Sequence, residues 1–332
     1  MQKIFINEFG RLRSGWRLVM FVLSFLAALL LLTTVLRIAY VILLTAAPQL
    51  FPATFLPEII SRLALLAAAL GAGYLCVRLF EGLPWRSLGL TLHVGWLRDL
   101  IIGSAVGVAS LVVAVGIAAG ASGLRFSIND TGVTSLGRSM LGSALLLIVA
   151  ALAEEALFRG YPLQTFSRAR LAWIGVLLTL LLFGYVHLQN PNVVPVASFG
   201  NTALAGLWLA VAYLRTRSLW LPLGVHWAWN WAQGWLFGLP ISGLNLVSHP
   251  LLKATDNGPS WLTGGSYGIE GGLACTISLV IFTIFLWRTS LISATPELMQ
   301  LTSEENPAST ARMLSIRVPE EAESQPTSLT KN

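Results

Sequence analysis

The chain has 332 residues, of which 55% are hydrophobic and only 11% charged, with a mean hydropathy of +0.73. Soluble domains carry about 25% charged residues, so this composition excludes an ordinary soluble globule and describes a polytopic membrane protein. The formal charge of +6 does not mark a nucleic-acid binder, because the basic residues fall in short clusters between apolar runs, where membrane topology requires them.

Read in order, the chain predicts an all-α polytopic membrane protein of about eight transmembrane helices, with its active site inside the helix bundle. Residues 1–17 carry Lys3, Arg11, Arg13 and Arg17 and read as a basic cytoplasmic leader at the membrane surface. The first apolar run is too long for the core of a signal peptide and lacks a cleavage site, so it is expected to remain as a helix. Spans one to three are expected at 18–44, 59–79 and 101–121, within an N-terminal unit of 18–137. The third is rich in Gly and small residues, which favour close helix packing. Spans four to seven, at 140–166, 171–188, 196–214 and 219–239, make up a core of 138–240. The stretch 241–268, rich in Gly, Pro and Ser, has no regular period and reads as a loop with a surface or re-entrant segment. An eighth span is expected at 269–287, and the polar tail 288–332 is expected to be disordered and cytoplasmic. Cys76 and Cys275 both lie in apolar runs and read as small buried side chains.

The basic residues sort by side. Arg78, Arg86 and Arg98 stand between spans two and three, and Arg215 and Arg217 follow span six, whereas residues 48–57 and 189–195 hold no Lys or Arg. By the positive-inside rule both termini are expected in the cytoplasm, here of a bacterial cytoplasmic membrane.

Against this apolar background the fourth span is anomalous, since it places Glu154, Glu155 and Arg159 where hydrocarbon should continue. An ionisable group at that depth costs roughly 3 kcal/mol on insertion scales and is by default a functional candidate. Glu155 and Arg159 are i and i+4, so they can pair on one helical face. Glu154 points about 100° away and is left out of that pair. Gly160 and Pro162 are expected to bend or break the helix just after Arg159. Span five ends with Phe183 and His187 at i and i+4, and span seven carries His226 and Asn230 at the same spacing. Each helix thus offers one polar point to a shared cavity. One difficulty stands: at about 1.5 Å per residue, His226 lies about 10 Å and His187 about 25 Å from the cytoplasmic ends of their spans, so straight helices would not bring them together.

Glu154, Glu155 and Arg159, then Phe183 and His187, then His226 and Asn230, resemble in order and spacing the three signature motifs of the CPBP intramembrane proteases. This is the CAAX protease and bacteriocin-processing (Abi) group, which includes the Ras-converting CAAX prenyl endoprotease. The resemblance covers residues 140–240. It implies an endopeptidase, a hydrolase cutting a membrane-associated peptide or protein, with Glu154, Glu155, Arg159, His187, His226 and Asn230 as its catalytic set.

The residue types fit that chemistry on their own terms. Peptide hydrolysis needs an activated water, donors for the tetrahedral oxyanion and a proton for the leaving amine. Glu154 with His187 can bind and deprotonate water, Asn230 and His226 can face the oxyanion, and Glu155 with Arg159 can hold the site in register. Two His and a carboxylate also make an adequate zinc set, for which Glu154, His187 and His226 are the tentative ligands. The residues leave metalloprotease and metal-free glutamate mechanisms both open. They carry no His-Glu-x-x-His zinc motif, no Gly-x-Gly-Asp aspartyl motif and no rhomboid-type serine. The expected partners are a peptide or protein substrate and the lipid bilayer, not nucleic acid. Two readings from other classes stand beside this one: a non-catalytic scaffold or bacteriocin immunity protein, and a proton-coupled transporter in which Glu and His form a relay.

Overall fold

The structure is a computed structural model that describes residues 2–46 and 55–302. A short helix α1 (Gln2–Phe5) leads into α2 (Ser14–Ala46) and α3 (Phe55–Glu81). Then come α4 (Trp96–Ser122), strand β1 (Leu124–Ile128) and α5 (Val133–Glu155). A π turn (Ala156–Gly160) joins α5 to α6 (Tyr161–Arg168), and α7 (Ala172–His187), α8 (Pro195–Thr216) and α9 (Trp220–Trp231) follow. A second π turn (Ala232–Leu236), strand β2 (Leu252–Asp256), the short helix α10 (Ser260–Thr263), α11 (Leu273–Arg288) and α12 (Pro296–Thr302) complete it.

Among the described residues, five stretches are long and apolar enough to cross a membrane: Ser14–Thr45, Pro57–Glu81, Trp96–Ala121, Val133–Arg168 and Pro195–Thr216. Two shorter apolar helices, Ala172–His187 and Leu273–Arg288, lie among them. The chain is therefore an integral membrane protein built from helices. Large apolar side chains such as Leu30, Leu31, Ile38 and Leu79 are exposed on the outer faces, as a lipid-facing wall requires. Helices suit that setting because each satisfies its own backbone polar groups.

Packing follows small residues. A Cβ added to Gly103 would lie 2.3 Å from Leu221 O, one on Gly107 2.3 Å from Val225 O, and one on Gly224 2.3 Å from Leu100 O. Backbone therefore meets backbone between α4 and α9, and three glycines fix the depth and rotation of the helix that carries His226. One core forms around α4, α8, α9 and α11, with Leu111, Leu209, Leu221 and Val225 buried in it. A second joins α2, α3 and Tyr161 of α6 through Phe21, Ala72 and Cys76.

The helical architecture is as expected, with one short ribbon added: β1 and β2 pair antiparallel from Leu124 opposite Asp256 to Ile128 opposite Leu252. This ribbon is short because five residues on each side suffice to clip the 237–272 stretch to the end of α4. Other expectations change. That stretch is not an irregular loop but a folded cap containing β2, α10 and tight turns. The leader does not lie wholly at the surface, for Arg17 is fully buried and stands 3.6 Å from Glu81, which also pairs with Arg168. Three helices, α2, α3 and α6, are tied by this internal charge cluster. Of the expected tail, Pro296–Thr302 is helical and buries Leu298 and Leu301, with Glu297 3.4 Å from Arg86. The remainder, 303–332, lies outside the described residues, as do residues 47–54.

Candidate functional site

The site begins at the end of α5. Pro162 has no N–H to give, and the helix passes it through the π turn Ala156–Gly160 before α6 starts. Such single-turn widenings alter the direction of side chains on either side. Glu155 directly precedes the turn and Arg159 lies within it, and both are fully buried.

Glu155 Oε1 accepts a hydrogen bond from Arg159 Nη1 at 3.0 Å and faces His226 Nδ1 at 2.8 Å. Arg159 Nη2 donates to Gly206 O at 3.1 Å, and the guanidinium lies 4.6 Å from the centre of the Phe183 ring. One carboxylate and one guanidinium thus fasten α5, α7, α8 and α9 together. Burying such a pair is costly unless its remaining donors and acceptors are met; the imidazole, the carbonyl and the ring face meet part of that need, while Glu155 Oε2 and Arg159 Nε find no hydrogen-bond partner among the described residues.

The two histidines are oriented by their Nδ1 atoms. A carbonyl only accepts, so His187 Nδ1 carries the hydrogen that it donates to Phe183 O at 2.7 Å. His226 Nδ1 likewise donates to the Glu155 carboxylate. In the neutral rings both Nε2 atoms then carry lone pairs. They converge on Glu154 Oε2, from 4.0 Å for His187 and 3.7 Å for His226. That oxygen has no hydrogen-bond partner among the described residues. These separations exceed a hydrogen bond, and the gap between the carboxylate and the two rings is about right for one bridging water.

The convergence resolves the straight-helix difficulty. α9 is seated deeply against the glycines of α4, α5 turns at its π segment, and the short α7 ends at His187, so two residues at unlike depths in their own helices meet at one carboxylate. Asn230 lies one turn beyond His226 and lines the same cavity of about 370 Å³. The expected site residues are thereby gathered: Glu154, His187, His226 and Asn230 at the cavity wall, with Glu155 and Arg159 behind it. The donor types are those of a zinc site. Their spacing is not, for no three His, Cys, Asp or Glu side chains among the described residues are gathered so as to hold a metal ion.

Two further cavity residues escaped the sequence reading. Arg62 of α3 reaches to 4.0 Å from Glu154 Oε1; it reads in sequence as a flanking basic residue of span two. Glu270 belongs to the cap. It accepts from Trp229 Nε1 at 3.1 Å and from Ser242 N and Oγ at 2.6 and 2.7 Å. Asn190 Nδ2 donates to Ser242 O at 3.0 Å, so the turn roofing the cavity is fastened to both histidine-bearing helices. Ser242 holds a left-handed φ of +46°, a conformation uncommon outside glycine, and its bonds to Glu270 and Asn190 maintain it. Nothing in the spacing of Glu270 from the three motifs signals this contact.

Comparison with known proteins bears on the same segment. Residues 136–232 match the model of a family described as type II CAAX prenyl endopeptidase Rce1-like, a peptidase family. All six candidate residues fall inside the match. An uncharacterized 24.3 kDa protein of Escherichia coli is 40% identical over 84 residues, which cover 24% of this chain and 37% of that protein. The chain thus spans little more than a third of that relative's length in the match. The resemblance to the CAAX-type proteases is shown over this central segment.

Proposed function

We propose, from the match of residues 136–232 to the CAAX prenyl endopeptidase family, that the chain is an intramembrane endopeptidase that hydrolyses a peptide bond of a membrane-associated peptide or protein. The observation that carries the reading is the approach of His187 Nε2 and His226 Nε2 to the unpartnered Glu154 Oε2. Glu154 Oε2 and His187 Nε2, two acceptors beside one small gap, suit a water molecule that has two hydrogens to give.

In this mechanism the water hydrogen-bonds to Glu154 Oε2 and His187 Nε2, and its oxygen adds to the scissile carbonyl carbon as Glu154 takes one proton. The tetrahedral oxyanion is met by the Asn230 amide and by His226, which enters the step protonated on both ring nitrogens and keeps its Nε2 proton throughout; Glu155, bonded to Nδ1, stabilises that imidazolium. Glu154 then passes its proton to the amine nitrogen as the C–N bond breaks, and the second water proton leaves the new carboxyl group for His187 Nε2, giving a carboxylate and an amine. Arg159 fixes Glu155 and touches no reacting atom. A zinc ion, if bound, would polarise the carbonyl and acidify water. The spacing of Glu154, His187 and His226 does not support that role, and no step depends on it.

Eight spans with both termini in the cytoplasm complete the reading, supported by the basic clusters at Arg78, Arg86, Arg98, Arg215 and Arg217. The test is cleavage of an internally quenched farnesyl-cysteine peptide by the purified chain in detergent. Turnover lost in Glu154→Gln supports the assignment, and wild-type turnover in that variant would sink it.

A further inference from the structure

Glu154 is the cavity carboxylate without a hydrogen bond among the described residues, and the two oxygens of its carboxyl group face different ways. Oε2 faces the histidines, whereas Oε1 faces Arg62 Nη1 at 4.0 Å. The last torsion of a glutamate is soft and roughly two-fold, so something must set which oxygen faces the reaction. Arg159 cannot, because its guanidinium is fully buried against Glu155, Gly206 O and Phe183. Among the residues lining the cavity Arg62 is the one lysine or arginine.

Arg62 is itself held. Glu58, one turn earlier on α3, accepts from its Nε at 2.9 Å and lies 2.8 Å from its Nη2. Two of the three guanidinium nitrogens are therefore engaged on the side away from the site, and Nη1 is left directed at Glu154. The side chain is 27% exposed, so its charge acts partly outside bulk water, where a separation of 4 Å still counts. Phe25, Leu29, Leu65 and Leu147 line the same cavity.

We propose that Arg62, braced by Glu58, is a positioning residue that keeps Glu154 ionised-side outward, with Oε1 turned to α3 and Oε2 presented to the water and the histidines. The inference rests on the reading of Glu154 as the general base. It adds to the site a helix that lies outside the matched residues 136–232.

The experiment uses the full chain in detergent with the farnesyl-cysteine peptide. Arg62→Gln lowers kcat about 10- to 100-fold, the range seen when a group orienting a catalytic residue is lost, while KM stays within about twofold. Arg62→Lys restores part of the loss, and Glu58→Gln gives a smaller loss of the same kind. Unchanged kcat in Arg62→Gln, or a loss confined to KM, overturns the inference while cleavage by the wild type leaves the protease reading intact. A second measurement needs no cleavage at all. Melting temperatures of Arg62→Gln, Glu154→Gln and the double variant are non-additive if the two side chains are coupled, and additive shifts overturn the proposal. Non-additivity in a chain that cuts no peptide would support the contact and reject the protease reading.

Discussion

His226 Nδ1 stands 2.8 Å from Glu155 Oε1, and the same oxygen takes a hydrogen bond from Arg159 Nη1 at 3.0 Å. One carboxylate oxygen thus serves the helix that carries His226 and the guanidinium that locks four helices. Structure and chemistry share an atom, and variants at this point report on both.

Glu155→Gln leaves Arg159 buried without its counter-charge. Removing one partner of a buried pair costs about 3–5 kcal/mol. Thermal unfolding in detergent should show a large fall in melting temperature, and a melt equal to wild type would contradict the role given to this pair.

Glu154→Gln is expected to act mainly on turnover. The residue has no hydrogen bond among the described residues to lose, only the longer approach to Arg62, so the melting temperature should fall far less than in Glu155→Gln while peptide cleavage disappears. His187→Ala and His226→Ala should also abolish cleavage. Asn230→Ala should slow kcat by about 10²–10³, as the loss of an oxyanion donor does. Steady-state kinetics on the four variants, beside circular dichroism to verify folding, separates these outcomes.

Metal content can be measured directly. If the water is activated by Glu154 and the histidines alone, purified protein carries well below one zinc per chain, and prolonged chelation leaves kcat/KM unchanged. Stoichiometric zinc that is lost in the His187→Ala/His226→Ala double variant would replace the metal-free mechanism and name two ligands.

Gly107→Ala tests the seating of α9. The new methyl would stand 2.3 Å from Val225 O, so the helices must part. Overpacking of this kind costs about 1–3 kcal/mol. Because His226 follows Val225 directly, activity should fall by more than the loss of folded protein accounts for. Alanine at Gly116, where a Cβ meets nothing within 4 Å, is the control.

The pairing of Glu155 with Arg159 was legible because it depends only on helical pitch, and the π turn falls where Gly160 and Pro162 stood as breakers. The meeting of His187 with His226 was not legible. It depends on how deeply α9 sinks against Gly103 and Gly107, a distance between helices that no single helix encodes. Arg62 was not legible as part of the site, since in sequence a basic residue near a span end looks the same whether it snorkels to water or turns inward. Arg17 shows the same ambiguity, resolved by Glu81 on another helix. Glu270 and its turn were hidden for a different reason. The cap is held by side-chain bonds to backbone, which leave no period to detect, and the five-residue strands are too short to stand out from loop.

The roof over the cavity, from Ile241 to Glu270, lies C-terminal to the matched residues 136–232 and is tied down by Asn190, Asn201 and Trp229. Under the proposed protease reading, a chain organised in this way separates what is cut from how it is cut, and another roof grafted between Leu236 and Leu273, with those attachment points kept, is expected to change the choice of peptide.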